Sequence, residues 1–189
     1  MSESLSPGER KLLLELARQA LVAGVSGETL KPLDLEAMPE ELRKPGATFV
    51  TLTHRGELRG CVGALEAYQP LAEDVREHAV AAALQDYRFP PVSTLEVPEI
   101  EIEISRLTSP TPLVYKDGQD LIAHLRPGVD GVILRDGLRR ATFLPQVWDK
   151  LPDPVEFLDH LCLKMGNEAN AWRYKKMKVF IYQVEEFHE

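Results

Sequence analysis

Few segments leave a chain less conformational choice than EIEIEIS, Glu99 to Ser105. Ile100, Ile102 and Ile104 alternate strictly with Glu99, Glu101 and Glu103, so the segment must be a strand with an apolar face and an acidic face. The elements around it are then read against that strand. ATFVTLTH and ELRGCVGALE, joined by HRGE, form a hairpin, because both runs are rich in strand formers or small residues and the glycine permits a tight turn. GVILRDGLRRATFL forms a second hairpin, with Asp136-Gly137 as its two-residue turn. KVFIYQVEEF is a closing strand.

Helices alternate with these hairpins. Ser6 to Glu9 has the Ser-x-x-Glu form of a capping box with Pro7 at the first helical position, and Leu13, Leu16, Ala17, Ala20 and Leu21 follow at helical spacing. The spacing predicts a helix over Pro7 to Ala23, then a Pro-punctuated connector whose Leu30, Leu33, Leu35, Met38 and Leu42 are too apolar for a free linker. A second helix spans Pro70 to Gln85, a short one Gln119 to Leu125, and another lies in PDPVEFLDHLCLKMG and closes on Gly166. The order α-β-β-α-β-α-β-β-α-β has no internal repeat and indicates an α+β fold with a largely antiparallel sheet flanked by helices. The whole chain, 1–189, reads as a single domain, and its turn-rich middle, about 109–140, as a smaller lobe within it.

At 189 residues, 44% hydrophobic and 28% charged, the chain can bury a full core and needs no disulfide staples. It shows no apolar run near the roughly 20 residues of a membrane span. Its first residues carry acidic groups and no basic leader, so the reading is a cytoplasmic protein with no membrane attachment, whose Cys61 and Cys162 are free thiols. A formal net charge of -8 repels phosphate backbones unless the basic residues are segregated onto one face, so nucleic acid is a disfavoured partner. WRYKKMK, Trp172 to Lys178, interleaves aromatics with cations but reads as a solvated loop before the last strand. His54, His78, His124, His160 and His188 show no metal-ligand spacing, and no phosphate loop or dinucleotide fingerprint is present, so neither a metal nor a cofactor is called for.

LRGCVGAL, Leu58 to Leu65, carries the chemistry. Simple alternation puts Arg59, Cys61 and Gly63 on one face, with the Arg59 and Cys61 Cα atoms about 6.5 to 7 Å apart, near enough for the guanidinium to favour a thiolate. Gly63 then leaves space beside the sulfur and Gly60 lets another group approach the backbone. The competing reading is a buried thiol with glycines that serve packing. Glu101 and Glu103 share a face that suits an acid/base pair, a metal ligand pair or, more simply, a solvated surface. His54 is an outside candidate base.

LRGCVGALEAYQPL, AAALQDYRFPPV, ISRLTSPTPL, GVDGVILRDG, FLPQVW and FLDHLCLKMG together resemble the AmmeMemoRadiSam system protein A family, the AMMECR-type domain, over nearly the whole chain. The resemblance implies an α+β fold with a larger lobe from both chain ends and a smaller lobe from the middle. It implies a Memo-like protein and a radical-SAM enzyme as partners. Carried over, it singles out Arg59, Gly60, Cys61 and Gly63, then Asp86, Arg88, Phe89 and Pro90, and it turns Ser105 toward the site. Lys164 and Gly166 match a third motif, although Met165 and Asn167 depart from its pattern.

The leading expectation is a thiol-dependent enzyme acting on a small anionic substrate. Cys61 is the nucleophile, Arg59 supports the thiolate and Asp86 orients an arginine. Arg88 binds the anion, with Gly60, Gly63, Ser105 and Lys164 completing the substrate site. The alternative is a non-catalytic adaptor docking the Memo-like or radical-SAM partner, and nucleic-acid binding comes third.

Overall fold

A computed structural model describes residues 4–189. Helix α1 runs Pro7–Val25, two residues beyond the expected end, and its capping box is complete: Glu9 N–H donates to Ser6 Oγ and Ser6 N–H to Glu9 Oε2. After the short α2 (Glu40–Arg43), β1 (Pro45–His54) and β2 (Glu57–Gly63) form the first hairpin. Its two turn residues, Arg55 and Gly56, both have positive φ, as a type I′ turn requires. β3 (Gln69–Pro70) leads directly into α3 (Leu71–Leu84), and β4 (Ile100–Leu107) contains the alternating segment. Ile100, Ile102 and Ile104 are buried, while Glu101 is exposed and Glu103 half-buried.

The chain divides into two compact units, one formed by residues 1–107 and 185–189, the other by Thr108–Val184. In the first, the sheet order is β2-β1-β4-β9, with β3 also paired to β1 and β9 spanning Val184–His188. α1 and α3 bury Leu13, Leu21, Leu71 and Val75 with Val50, Leu52 and the three isoleucines, so one face of the sheet becomes the core. Asp74 ties α3 to β1: its Oδ2 accepts Thr48 N–H at 2.9 Å and Thr48 Oγ1–H at 2.7 Å, with His78 Nδ1 at 3.2 Å.

The second unit comprises β5 (Thr111–Leu113), α4 (Gly118–His124), β6 (Gly131–Asp136), β7 (Arg139–Phe143), α5 (Pro154–Lys164), α6 (Ala171–Tyr174) and β8 (Lys178–Tyr182). Its sheet order is β5-β8-β6-β7, antiparallel throughout. α5 begins under Asp153, whose Oδ1 accepts from Val155 N–H and Glu156 N–H. It ends in a Schellman turn, with Gly166 at positive φ, Gly166 N–H on Leu163 O and Asn167 N–H on Cys162 O. Trp148 stacks on Phe157 at 3.7 Å in a core that also holds Leu158, Leu161, Cys162 and Trp172.

Three expectations need correction. WRYKKMK is no solvated loop, because Trp172 lies on α6 and is buried with Met177 in the core of the second unit. Asp136 pairs with Arg139, so the second turn is Gly137-Leu138; only Gly137 has positive φ, matching a type II′ turn with glycine first. The single closing strand is two strands, β8 and β9, separated at Gln183 and belonging to different sheets. Gln183 takes no part in either ladder and instead donates its N–H to Thr108 Oγ1 and its Nε2–H to Asp130.

Candidate active site around Cys61

β2 is the edge strand of its sheet, and the pairing fixes which way each motif residue faces. Leu52 pairs with Gly60 and Thr53 with Leu58, so Arg59 is the extra residue of a β-bulge. Simple alternation therefore fails at Arg59 and resumes at Gly60. Gly60 and Val62 share the core face with their partners Leu52 and Val50, and Cys61 shares the opposite face with Thr51.

Neither glycine hollows out space for a ligand. A Cβ at Gly60 would collide with the Ala82 carbonyl of α3, and one at Gly63 would lie 2.5 Å from Cγ of Phe49, its cross-strand partner. The position of a Gly63 side chain is already taken by the Thr48 carbonyl and Phe49. Both glycines serve close packing, one of a helix and one of an aromatic side chain.

Arg59 also departs from its expected role. Its guanidinium pairs with Glu96 (Nε to Oε1, 2.9 Å) and donates to the carbonyls of Pro90 (2.8 Å) and Pro91 (3.3 Å). Glu96 in turn accepts Ser93 N–H and Ser93 Oγ–H, and the Arg59 hydrogen bond is the main cause that lowers its carboxyl to about 2. Arg59 fastens the Pro90–Glu96 loop to the sheet edge and has no hydrogen bond to the sulfur.

Asp86 and Arg88 do meet Cys61, through its backbone. Cys61 N–H donates to Asp86 Oδ2 at 2.9 Å and Arg88 Nη2 donates to Cys61 O at 3.4 Å. The two side chains are locked together by Arg88 Nε on Oδ1 (2.9 Å) and Nη2 on Oδ2 (2.7 Å), with Arg88 N–H also on Oδ1. The Asp86 side chain is 4% exposed, and Arg88 above all, then the Cys61 N–H, holds its carboxyl far below the usual carboxylate range despite burial. Arg88 is 44% exposed and shifted upward by the same bond. This pair does for Cys61 what a neighbouring strand would do, supplying an acceptor and a donor to an otherwise open edge.

The Cys61 sulfur is half-buried and accepts a hydrogen bond from Thr51 Oγ1 at 3.3 Å. Along the same face Thr51 pairs onward with Glu103, and Phe49 with the buried Ser105. Cys162, by contrast, is fully buried in the second unit and its thiol is pushed up by desolvation. Lys164 is likewise in the second unit, donating to Thr142 O at 2.9 Å with its ammonium 5.0 Å from the Phe143 ring centroid. His54 lies 3.7 Å from Glu99, a carboxylate already held by Arg55. Among the described residues no group of three His, Cys, Asp or Glu is placed to hold a metal ion, and no helix is long and apolar enough to cross a membrane.

Thr51 and Glu96 were not singled out from the sequence. Thr51 requires the hairpin register, but Glu96 had a readable signal: Ser93 to Glu96 is a Ser-x-x-Glu box, here closing a turn instead of a long helix.

The AMMECR1 family profile matches residues 14–187. A protein of Thermofilum pendens is 38% identical over 98% of this chain and 92% of its own length. One of Methanothermobacter thermautotrophicus is 37% identical over 98% and 96%. The crystal structure of an uncharacterized protein from Pyrococcus horikoshii superposes with a TM-score of 0.78 at 30% identity, covering 98% of this chain and 93% of that one.

Proposed function

The chain belongs to the AMMECR1 family, and from that premise and the Cys61 edge we propose a thiol-dependent enzyme acting on a small anionic substrate. Cys61 is the nucleophile and Arg88 the anion anchor. Asp86 and Arg59 position them, Asp86 by holding Arg88 and the Cys61 backbone, Arg59 by fastening the Pro90–Glu96 segment that follows Arg88 to the strand edge. The observation that carries this reading is a half-buried sulfur that already accepts an O–H and has a half-exposed guanidinium beside its own carbonyl. The thiolate is the nucleophilic form of cysteine. Asp86 holds Arg88 through Nε and Nη2, and the Arg88 side chain is still 44% exposed, so its guanidinium is open to a carboxylate or phosphate.

Gly60 and Gly63 serve packing and take no part in the proposed substrate site. A role for Ser105 rests on its place on the Cys61 side of the sheet, two strands away. Replacing Cys61 by serine tests the reading: the thiol account expects a cellular phenotype equal to gene loss with the fold intact by circular dichroism. Full complementation by Cys61→Ser would overturn it.

One observation favours the adaptor reading as second choice. Tyr87 is 96% exposed although the residues on both sides of it are locked to each other and to β2. A large aromatic held out from a rigid loop suits an anchor for a partner, such as a Memo-like or radical-SAM protein. Tyr87→Ala would then abolish complementation while Cys61→Ser preserved it.

A further inference from the structure

The overall charge of -8 hides a division. Residues 108–184 hold eleven basic and nine acidic residues, whereas the rest of the chain holds eleven basic and twenty-one acidic ones. Most acids of the second unit are engaged locally: Asp117 and Asp153 cap helices, Asp130 holds Arg126, Asp136 holds Lys175, and Asp159 accepts from Trp172. Its cations are less evenly matched.

Across the middle of its sheet, Arg140 on β7 pairs with Arg135 on β6, and Arg135 pairs with Lys178 on β8. Direct partners lie on one face, so three exposed cations stand in a row on strands about 4.8 Å apart. Like charges directly opposite each other destabilise a sheet. Arg140 has a further interaction of its own, so the argument rests on Arg135 and Lys178. Neither of these has a carboxylate partner among the described residues. The Arg135 guanidinium lies 5.0 Å from the Phe180 ring centroid, which holds its planar fork in place. A local rule broken at exposed positions, with one of the charges set over an aromatic ring, marks a site where stability yields to binding.

We propose that Arg135 and Lys178 form a binding face for a ligand with two or more neighbouring phosphoryl groups. Arg135 supplies bidentate donors in fixed orientation and Lys178 a mobile point charge one strand away. The spacing of adjacent strands suits consecutive phosphates of a short chain. This site is built from the second unit alone and stands or falls independently of Cys61.

The test is calorimetric titration of the full chain with inorganic tripolyphosphate, without divalent metal, at 50 and 200 mM salt. The expected result is saturable binding that weakens several-fold at the higher salt. It weakens at least tenfold in Arg135→Gln/Lys178→Gln and less than twofold in Lys150→Gln, an exposed cation away from this row. The ligand-free double variant should melt at or above the wild-type temperature, which also shows that it folds. A nucleoside triphosphate binding as tightly as tripolyphosphate identifies the phosphate chain as the recognised part, and tighter binding adds a contact to the nucleoside. No saturable binding, or equal loss in Lys150→Gln, overturns the proposal. A single-stranded oligonucleotide binding more than tenfold tighter than either small ligand overturns it in favour of nucleic acid.

Discussion

The two sheets of this protein end in edge strands that are protected in different ways. On β2, the buried carboxylate of Asp86 and the guanidinium of Arg88 take both the N–H and the C=O of Cys61. On β7, Lys164 from the end of α5 takes one carbonyl, that of Thr142. The first arrangement fixes one residue's backbone on both sides and leaves its side chain on the opposite face from the helices. The second only fastens a helix end to a strand. Edge protection of the second kind explains Lys164 completely, whereas a desolvated carboxylate with a bidentate arginine is more than an edge needs.

Substitutions at the two edges should differ in size. The largest effect is expected at Gly60, where alanine forces a methyl into the Ala82 carbonyl: Gly60→Ala should lose about 3 kcal/mol, with faster amide exchange in α3 and β2. Asp86→Ala leaves the Cys61 N–H without an acceptor and Arg88 without its counter-charge, and should lose about 2 to 3 kcal/mol on the same readout. Lys164→Met should lose no more than about 1 kcal/mol, because one hydrogen bond and one ammonium–ring contact of a surface side chain are removed. Both tryptophans, Trp148 and Trp172, lie in the second unit, so their fluorescence during urea unfolding reports that variant directly. A loss at Lys164 as large as at Asp86 would erase the distinction between the two edges.

Acid should separate them as well. The carboxyls of Asp86 and Glu96 are depressed in the folded state, Glu96 to about 2, so the unfolded chain binds more protons there. Their contribution is complete above the ordinary carboxylate range and is lost as pH falls through the folded-state values. Protection of β2 amides should therefore decline below about pH 4.5, with most of the Glu96 share gone near pH 2, and Glu96→Gln should flatten that decline.

Much of the fold was legible because periodicity and punctuation agree over α1, α3, β4 and α5. The site was legible only as a set of positions. Arg59, Cys61, Asp86 and Arg88 do converge on one strand edge, but nothing in LRGC marks the bulge that turns Arg59 away to Glu96. Alternation assigns faces correctly only while pairing stays in register, and one extra residue is enough to break it. Gly63 was readable as a missing side chain but not as the seat of Phe49, since its cross-strand partner depends on the same register. The split between β8 and β9 was hidden because both halves of KVFIYQVEEF are equally strand-like and the change of sheet is made at one residue, Gln183.

The direct measure of the proposed chemistry is the rate at which Cys61 is alkylated by iodoacetate relative to iodoacetamide, followed by mass spectrometry at neutral pH. Cys162 is sealed in the second core and should not compete. With Arg88 as an anion anchor, the anionic reagent should be favoured in the wild type, and Arg88→Gln should lower the iodoacetate-to-iodoacetamide ratio about fivefold or more, with the iodoacetamide rate changed less than twofold. An unchanged ratio in Arg88→Gln, or a Cys61 that neither reagent modifies in the folded protein, would contradict it.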